Sequence, residues 1–173
     1  MKTEKIIELL SFTIPSIITG LVAYYFFVTH TKNEERKIQL GIIKENQKHT
    51  LPLKLQAYER LTLFLERINP SKLLVRVTSV NNDKQAYSQS LIQTIEHEYE
   101  HNIAQQIYMS EECWSVIIAA KNATIHLIKK NTEKDSVSNA QELRETILKE
   151  TFENAPPSLK ALNFIKNEVS NFL

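Results

Sequence analysis

Residues 9–28, LLSFTIPSIITGLVAYYFFV, contain no charged side chain. At about 1.5 Å of rise per residue, a helix of that length matches the roughly 30 Å hydrocarbon core of a bilayer. Between residues 6 and 28 the only charge is Glu8, near the start, so the stretch predicts one transmembrane helix that meets the lipid bilayer through residues 6–28. Tyr24 and Tyr25 near its C-terminal end fit an interfacial aromatic belt. Pro15 is expected to bend the helix or break it locally. A cleaved signal peptide is the competing reading, but the apolar run exceeds a usual signal core and VTHTK is a poor small-residue cleavage site. Ser11, Thr13, Ser16 and Thr19 require no pore, because short hydroxyl side chains bond back to their own helix. There is no G-x-x-x-G to suggest pairing through the membrane.

Basic residues set orientation. Lys2 and Lys5 precede the span, while Lys32, Arg36, Lys37, Lys44 and Lys48 follow it, which puts the C-terminal side in the cytoplasm. Residues 29–50 are charged and carry only the apolar pair Ile38 and Ile42 at helical spacing, as expected of a solvated juxtamembrane helical stalk with Gly41 as a weak point. Acidic residues interleave with the basic ones, which disfavours recruitment to anionic lipid.

Residues 51–173 read as an α-helical soluble domain. In LPLKLQAYERLTLFLERINP, Leu53, Ala57, Leu61, Phe64, Leu65 and Ile68 share one face, and Pro70 ends the helix. SKLLVRV is too short to assign by periodicity, and VNNDK reads as a loop. A long helix is expected from about Lys84 to Tyr108, with Leu91, Ile92, Ile95, Tyr99 and Ile103 inward. Asn102 and Gln106 fall on its inner side, where they are expected to bond to Arg60 or Glu59. Ser110 caps the next helix, whose apolar face holds Trp114, Ile117, Ile118, Ile125 and Ile128, with Lys121 snorkelling from within it. A capping box from Ser138 to Gln141 opens another helix, stopped by Pro156 and Pro157. The last helix is expected to bury Leu162, Ile165, Val169 and Phe172. Only two glycines in 173 residues argue against a β-rich alternative. The fold class is therefore all-α: a transmembrane helix over residues 1–28 with its tail, a stalk over 29–50, and a multi-helix cytoplasmic bundle over 51–173.

Chemistry is sparse. HEYEH at 97–101 fits H-E-x-x-H, in which two histidines one helical turn apart bind zinc and the glutamate acts as general base. On the expected helix His97 and His101 point away from the apolar face, toward water. A catalytic zinc needs a third protein ligand. The metzincin continuation would need glycine and histidine where Ala104 and Ile107 stand, and Glu133 or Glu142 would be a third ligand outside any convincing motif. With five histidines and 18 glutamates, the pattern arises by chance in about one or two chains per hundred of this composition. The alternative is a solvated face of alternating charge. Phosphate-binding glycine loops and the G-x-S-x-G elbow are absent, and Cys113, the only cysteine, reads as a small buried apolar residue. Lysine and arginine number 21 against 20 acidic residues, so no basic excess points to nucleic acid.

The blocks LPLKLQAYERLTLFLERINP and LIQTIEHEYEHNIAQQIYMSEECW, in that order behind one N-terminal span, resemble an uncharacterised family of membrane-anchored bacterial proteins found mainly in Bacteroidetes. The resemblance implies a helical cytoplasmic domain at the bacterial inner membrane and carries no catalytic residue. The expectation is a single-pass, non-enzymatic interaction or scaffolding module with an unidentified protein partner, no cofactor and no assigned metal ligand, homo-oligomerisation being a variant. The alternative is a zinc-dependent hydrolase with His97 and His101 as ligands and Glu98 as base.

Overall fold

A computed structural model describes the backbone of residues 2–171 and the side chains of residues 13–171. The expected burial of Phe172 lies outside the described residues, as do the side chains of 6–12 at the start of the expected span. Among the described residues there are seven helical segments and no strand: α1 (Lys2–Arg67), α2 (Pro70–Arg76), α3 (Lys84–Glu100), a 3-10 segment (Ile103–Tyr108), α4 (Glu111–Thr132), α5 (Ala140–Glu153) and α6 (Pro157–Ser170). The chain divides into two compact units, Met1–Thr50 and Leu51–Leu173.

In the first unit every side chain from Thr13 to Phe27 is exposed. This part of α1 is long and apolar enough to cross a membrane. The Ser16 hydroxyl donates to the Thr13 carbonyl and the Thr19 hydroxyl to the Pro15 carbonyl, both at 2.8 Å, so these polar groups are satisfied within the helix. Of the bend or local break expected at Pro15, the break does not occur, and α1 also runs on through Gly41. Proline removes one hydrogen bond and glycine costs backbone entropy, but each is a local loss within a long cooperative run. Beyond the apolar stretch, Lys37 pairs with Glu34 and Lys48 with Glu45 one turn apart, which suits a solvated helix.

The second unit begins inside α1. Ala57, Tyr58, Leu61, Phe64, Leu65 and Ile68 are buried, whereas Leu53, expected among them, is 51% exposed. The 3.6-residue stripe extends one turn further toward the N-terminus than the packing that uses it. Pro70 supplies the first residue of α2, and the Asn69 side chain accepts from the Ser71 N–H. SKLLVRV is thus helical, with Leu73 and Leu74 buried. Asp83 caps α3 by accepting from the backbone of Gln85 and Ala86.

The α-helix expected to reach Tyr108 stops at Glu100. Its last carbonyls find partners just past its final turn: the His101 N–H donates to His97, the Asn102 N–H to Tyr99, and the Asn102 side-chain amide to the Glu98 carbonyl at 2.8 Å. Asn102 therefore closes its helix instead of bonding to Arg60 or Glu59, and Gln106 is exposed in the 3-10 segment that follows. Ile103, expected inside, is 43% exposed for the same reason.

Ser110 caps α4 through the Cys113 N–H. At α5 the cap is Asn139, one residue beyond the expected Ser138: its side chain accepts from the Glu142 N–H, and the Glu142 carboxylate accepts from the Ser138 N–H. Glutamate makes a stronger return bond than Gln141 would, so the box shifts by one. Pro157 starts α6. The core of the second unit collects Leu91 and Ile95 of α3, Ile117 and Ile128 of α4, Leu143 and Ile147 of α5, and Leu162 and Ile165 of α6 around the buried face of α1. Each such side chain contributes about 1.5–3 kcal/mol by leaving water. Phe64, Tyr99 and Trp114 form an aromatic line across α1, α3 and α4, with ring centroids 6.2 Å and then 5.8 Å apart.

Candidate functional site

The end of α3 holds the residues that sequence singled out. His97 and His101 are exposed, as their helical phase requires, and Glu98 lies between them on a different side of the helix. The two imidazoles touch, with ring centroids 4.2 Å apart in an edge-to-face arrangement. The His101 Nδ1 meets the His97 carbonyl at 2.7 Å. A carbonyl only accepts, so Nδ1 carries the proton, and in the neutral ring Nε2 keeps the lone pair.

Glu98 is committed elsewhere. Its carboxylate accepts from the Arg67 guanidinium of α1 at 3.0 and 3.1 Å, and Arg76 of α2 stands 3.4 Å from one of its oxygens. Its side chain is only 17% exposed, while Arg67 and Arg76 reach it from the surface. A general base must reach a metal-bound water with a free lone pair; two guanidiniums hold this one. Among the described residues no group of three or more histidine, cysteine, aspartate and glutamate side chains is arranged to hold a metal ion. Glu142 is occupied in the α5 cap and Glu133 is exposed at the end of α4. The geometry gives a hydrolase no support.

Beside the histidines opens a cleft of about 450 Å³ between α1 and α3, lined by Arg60, Leu63, Phe64 and Arg67 on one wall and by His97, Glu98, His101 and Asn102 on the other. Lys121, expected to snorkel from the α4 apolar face, donates to Glu96 at 2.7 Å and sits 4.4 Å over the Tyr99 ring. It is an ion-paired structural cation.

Sequence did not disclose a second polar cluster inside the domain. Glu168 of α6 accepts from the Tyr58 hydroxyl at 2.7 Å and from the Ser110 N–H at 3.2 Å, joining α6 to α1 and to the start of α4. Its other oxygen, Oε2, is sealed from solvent without a hydrogen-bond partner at ordinary geometry. Burial pushes the Glu168 carboxyl up, but the bonds from Tyr58, the Cys113 thiol and Ser110 outweigh it and hold the group below the ordinary range. The same surroundings push the Cys113 thiol up to about 12, through burial first and then the Glu168 charge. A thiol that stays protonated is a poor nucleophile. Tyr58 is raised by burial and by Glu168, so its hydroxyl remains a donor. Nothing in the local sequence signals this cluster, because its members lie 58 and 110 residues apart.

The family model for a family of unknown function, DUF7935, matches residues 4–172. The chain belongs to that family. The match runs through α1 and the helical domain together, so the DUF7935 unit includes the apolar helix as well as the buried cluster. No curated protein and no solved structure matches the chain.

Proposed function

We propose that this DUF7935 protein is a membrane-anchored, non-enzymatic interaction module of the bacterial inner membrane. Residues 6–28 cross the bilayer, the helical domain faces the cytoplasm, and the domain surface engages a protein partner. One observation carries the reading: the apolar side chains from Ile14 to Phe27 stand in the open on α1, with none of the candidate span buried by the rest of the protein. A core helix of a soluble domain would be covered by its neighbours, whereas a bilayer covers this one. The five lysines and arginines after the span, against two before it, favour the cytoplasmic orientation. Engagement of Glu98 by two arginines, and protonation of Cys113, favour binding over catalysis.

The test is fractionation of cells expressing the full chain. The protein should stay in the membrane pellet through an alkaline carbonate wash and leave it only with detergent, at undiminished length. Protease added to intact spheroplasts should spare the helical domain. Release by carbonate, or loss of the first 28 residues, would overturn the anchor; digestion of the domain would reverse the orientation. For the partner, a photo-crosslinking side chain at Phe152, which is 84% exposed, should yield one recurring adduct in membranes, and none across several exposed positions would count against an interaction role.

A further inference from the structure

We infer that His97 and His101 form a two-imidazole site for a borderline divalent metal ion such as Cu²⁺, Ni²⁺ or Zn²⁺, a binding site and not the catalytic centre of a hydrolase. The inference does not rest on the membrane reading. Four observations converge on it. The histidines stand one turn apart on the solvent side of α3, where a metal and its water ligands have room. Their ring centroids lie 4.2 Å apart, so one ion can reach both imidazoles without a backbone change. The His101 Nδ1–H is tied to the His97 carbonyl at 2.7 Å, which orients the ring and leaves Nε2 as the nitrogen with a lone pair to offer. A backbone carbonyl on Nδ1 is a common way for proteins to fix a metal-binding imidazole. The pair also occupies the C-terminal turn of α3, where the helix dipole favours a cation.

One Glu98 carboxylate stands against the guanidiniums of Arg67 and Arg76, and Arg60 also lines the cleft, so this wall opposes a cation and the two imidazoles must supply the attraction. Since Glu98 is held by Arg67 and Arg76, the protein supplies two nitrogen ligands and water fills the remaining positions. Imidazole nitrogen suits copper, nickel and zinc and does not suit calcium or magnesium, which take oxygen ligands. Across these metals affinity should follow the general order, with Cu²⁺ the tightest. His126, alone on an exposed face of α4, provides an internal comparison.

The experiment is titration of Cu²⁺, and separately of Zn²⁺, into the full chain in detergent micelles without a histidine tag, followed by calorimetry. One Cu²⁺ should bind per chain, and either His97→Ala or His101→Ala should weaken it about tenfold or more, because the second imidazole binds at high effective concentration. His126→Ala should leave the isotherm unchanged. Should either alanine variant fail to fold, electron paramagnetic resonance of Cu²⁺ on the unaltered chain decides the point: two equivalent imidazole nitrogens are expected. No saturable binding, an isotherm unmoved by His97→Ala or His101→Ala, or a one-nitrogen spectrum would each overturn the site.

Discussion

Replacing Tyr58 with phenylalanine removes one oxygen from the core and tests whether Glu168 holds the domain together. The ring stays, so the apolar packing of this nearly fully buried residue is kept. What is lost is a 2.7 Å hydrogen bond to a buried carboxylate that keeps only its bonds from Ser110 and the Cys113 thiol. Hydrogen bonds to charged groups are worth about 1.5–3 kcal/mol, and the deprived carboxylate has no water to turn to, so the expected loss is about 2 kcal/mol. With a urea dependence of about 2 kcal/mol per molar for a domain of this size, the unfolding midpoint should fall by about 1 M. Trp114, the only tryptophan, stacks on Tyr99 in the core and reports the transition by fluorescence. The penalty should also depend on pH. Folding holds the Glu168 carboxyl below its ordinary value, so the stabilisation it brings is present above the unfolded carboxyl's range and disappears as pH falls through the folded value. The gap between the unaltered protein and Tyr58→Phe should therefore be widest near neutrality and narrow in acid. A midpoint shift too small to measure at neutral pH, or one of equal size in acid, would refute the reasoning.

Two further outcomes follow from the same physics. The Lys130 ammonium first, with Asn131 and Lys134 beside it, holds Glu150 down to about 2 against the pull of burial. Glu150→Gln should thus cost stability at neutral pH, and its urea-midpoint difference from the unaltered chain should close as pH falls from about 4.5 toward 2; a constant difference would dismiss the ion pair as its source. Cys113, fully buried with its thiol pushed up to about 12, should not react with an aromatic disulfide reagent in the folded protein and should titrate as one thiol in urea. Prompt reaction of the native chain would show that the core opens locally there.

The helices were largely legible because their apolar residues repeat at the period that packing requires. Leu91 and Ile95, Ile117 and Ile128, and Leu162 and Ile165 are buried as their spacing demands. Errors arose where a local bond ended a pattern that the sequence appeared to continue. Tyr99, Ile103 and Ile107 keep a four-residue spacing, but the side chains of His101 and Asn102 take the carbonyls of the last turn, and Ile107 ends 75% exposed. The cap of α5 moved from Ser138 to Asn139 because Glu142 was the better reciprocal partner. At the candidate site, the exposure of His97 and His101 followed from phase alone. The commitment of Glu98 did not, since Arg67 and Arg76 lie on two other helices and their approach is a tertiary fact.

The Tyr58–Glu168 bond spans 110 residues of chain, and that separation has a cost in time during synthesis. At about 5–20 residues per second, Tyr58 is synthesised roughly 5–20 s before its partner. Through that interval Leu61, Phe64 and Leu65 have no completed core around them, while the apolar stretch of α1 has already been made. The Tyr58–Glu168 link can therefore close only after every helix from α1 to α6 has been made, which places it among the late contacts of the domain.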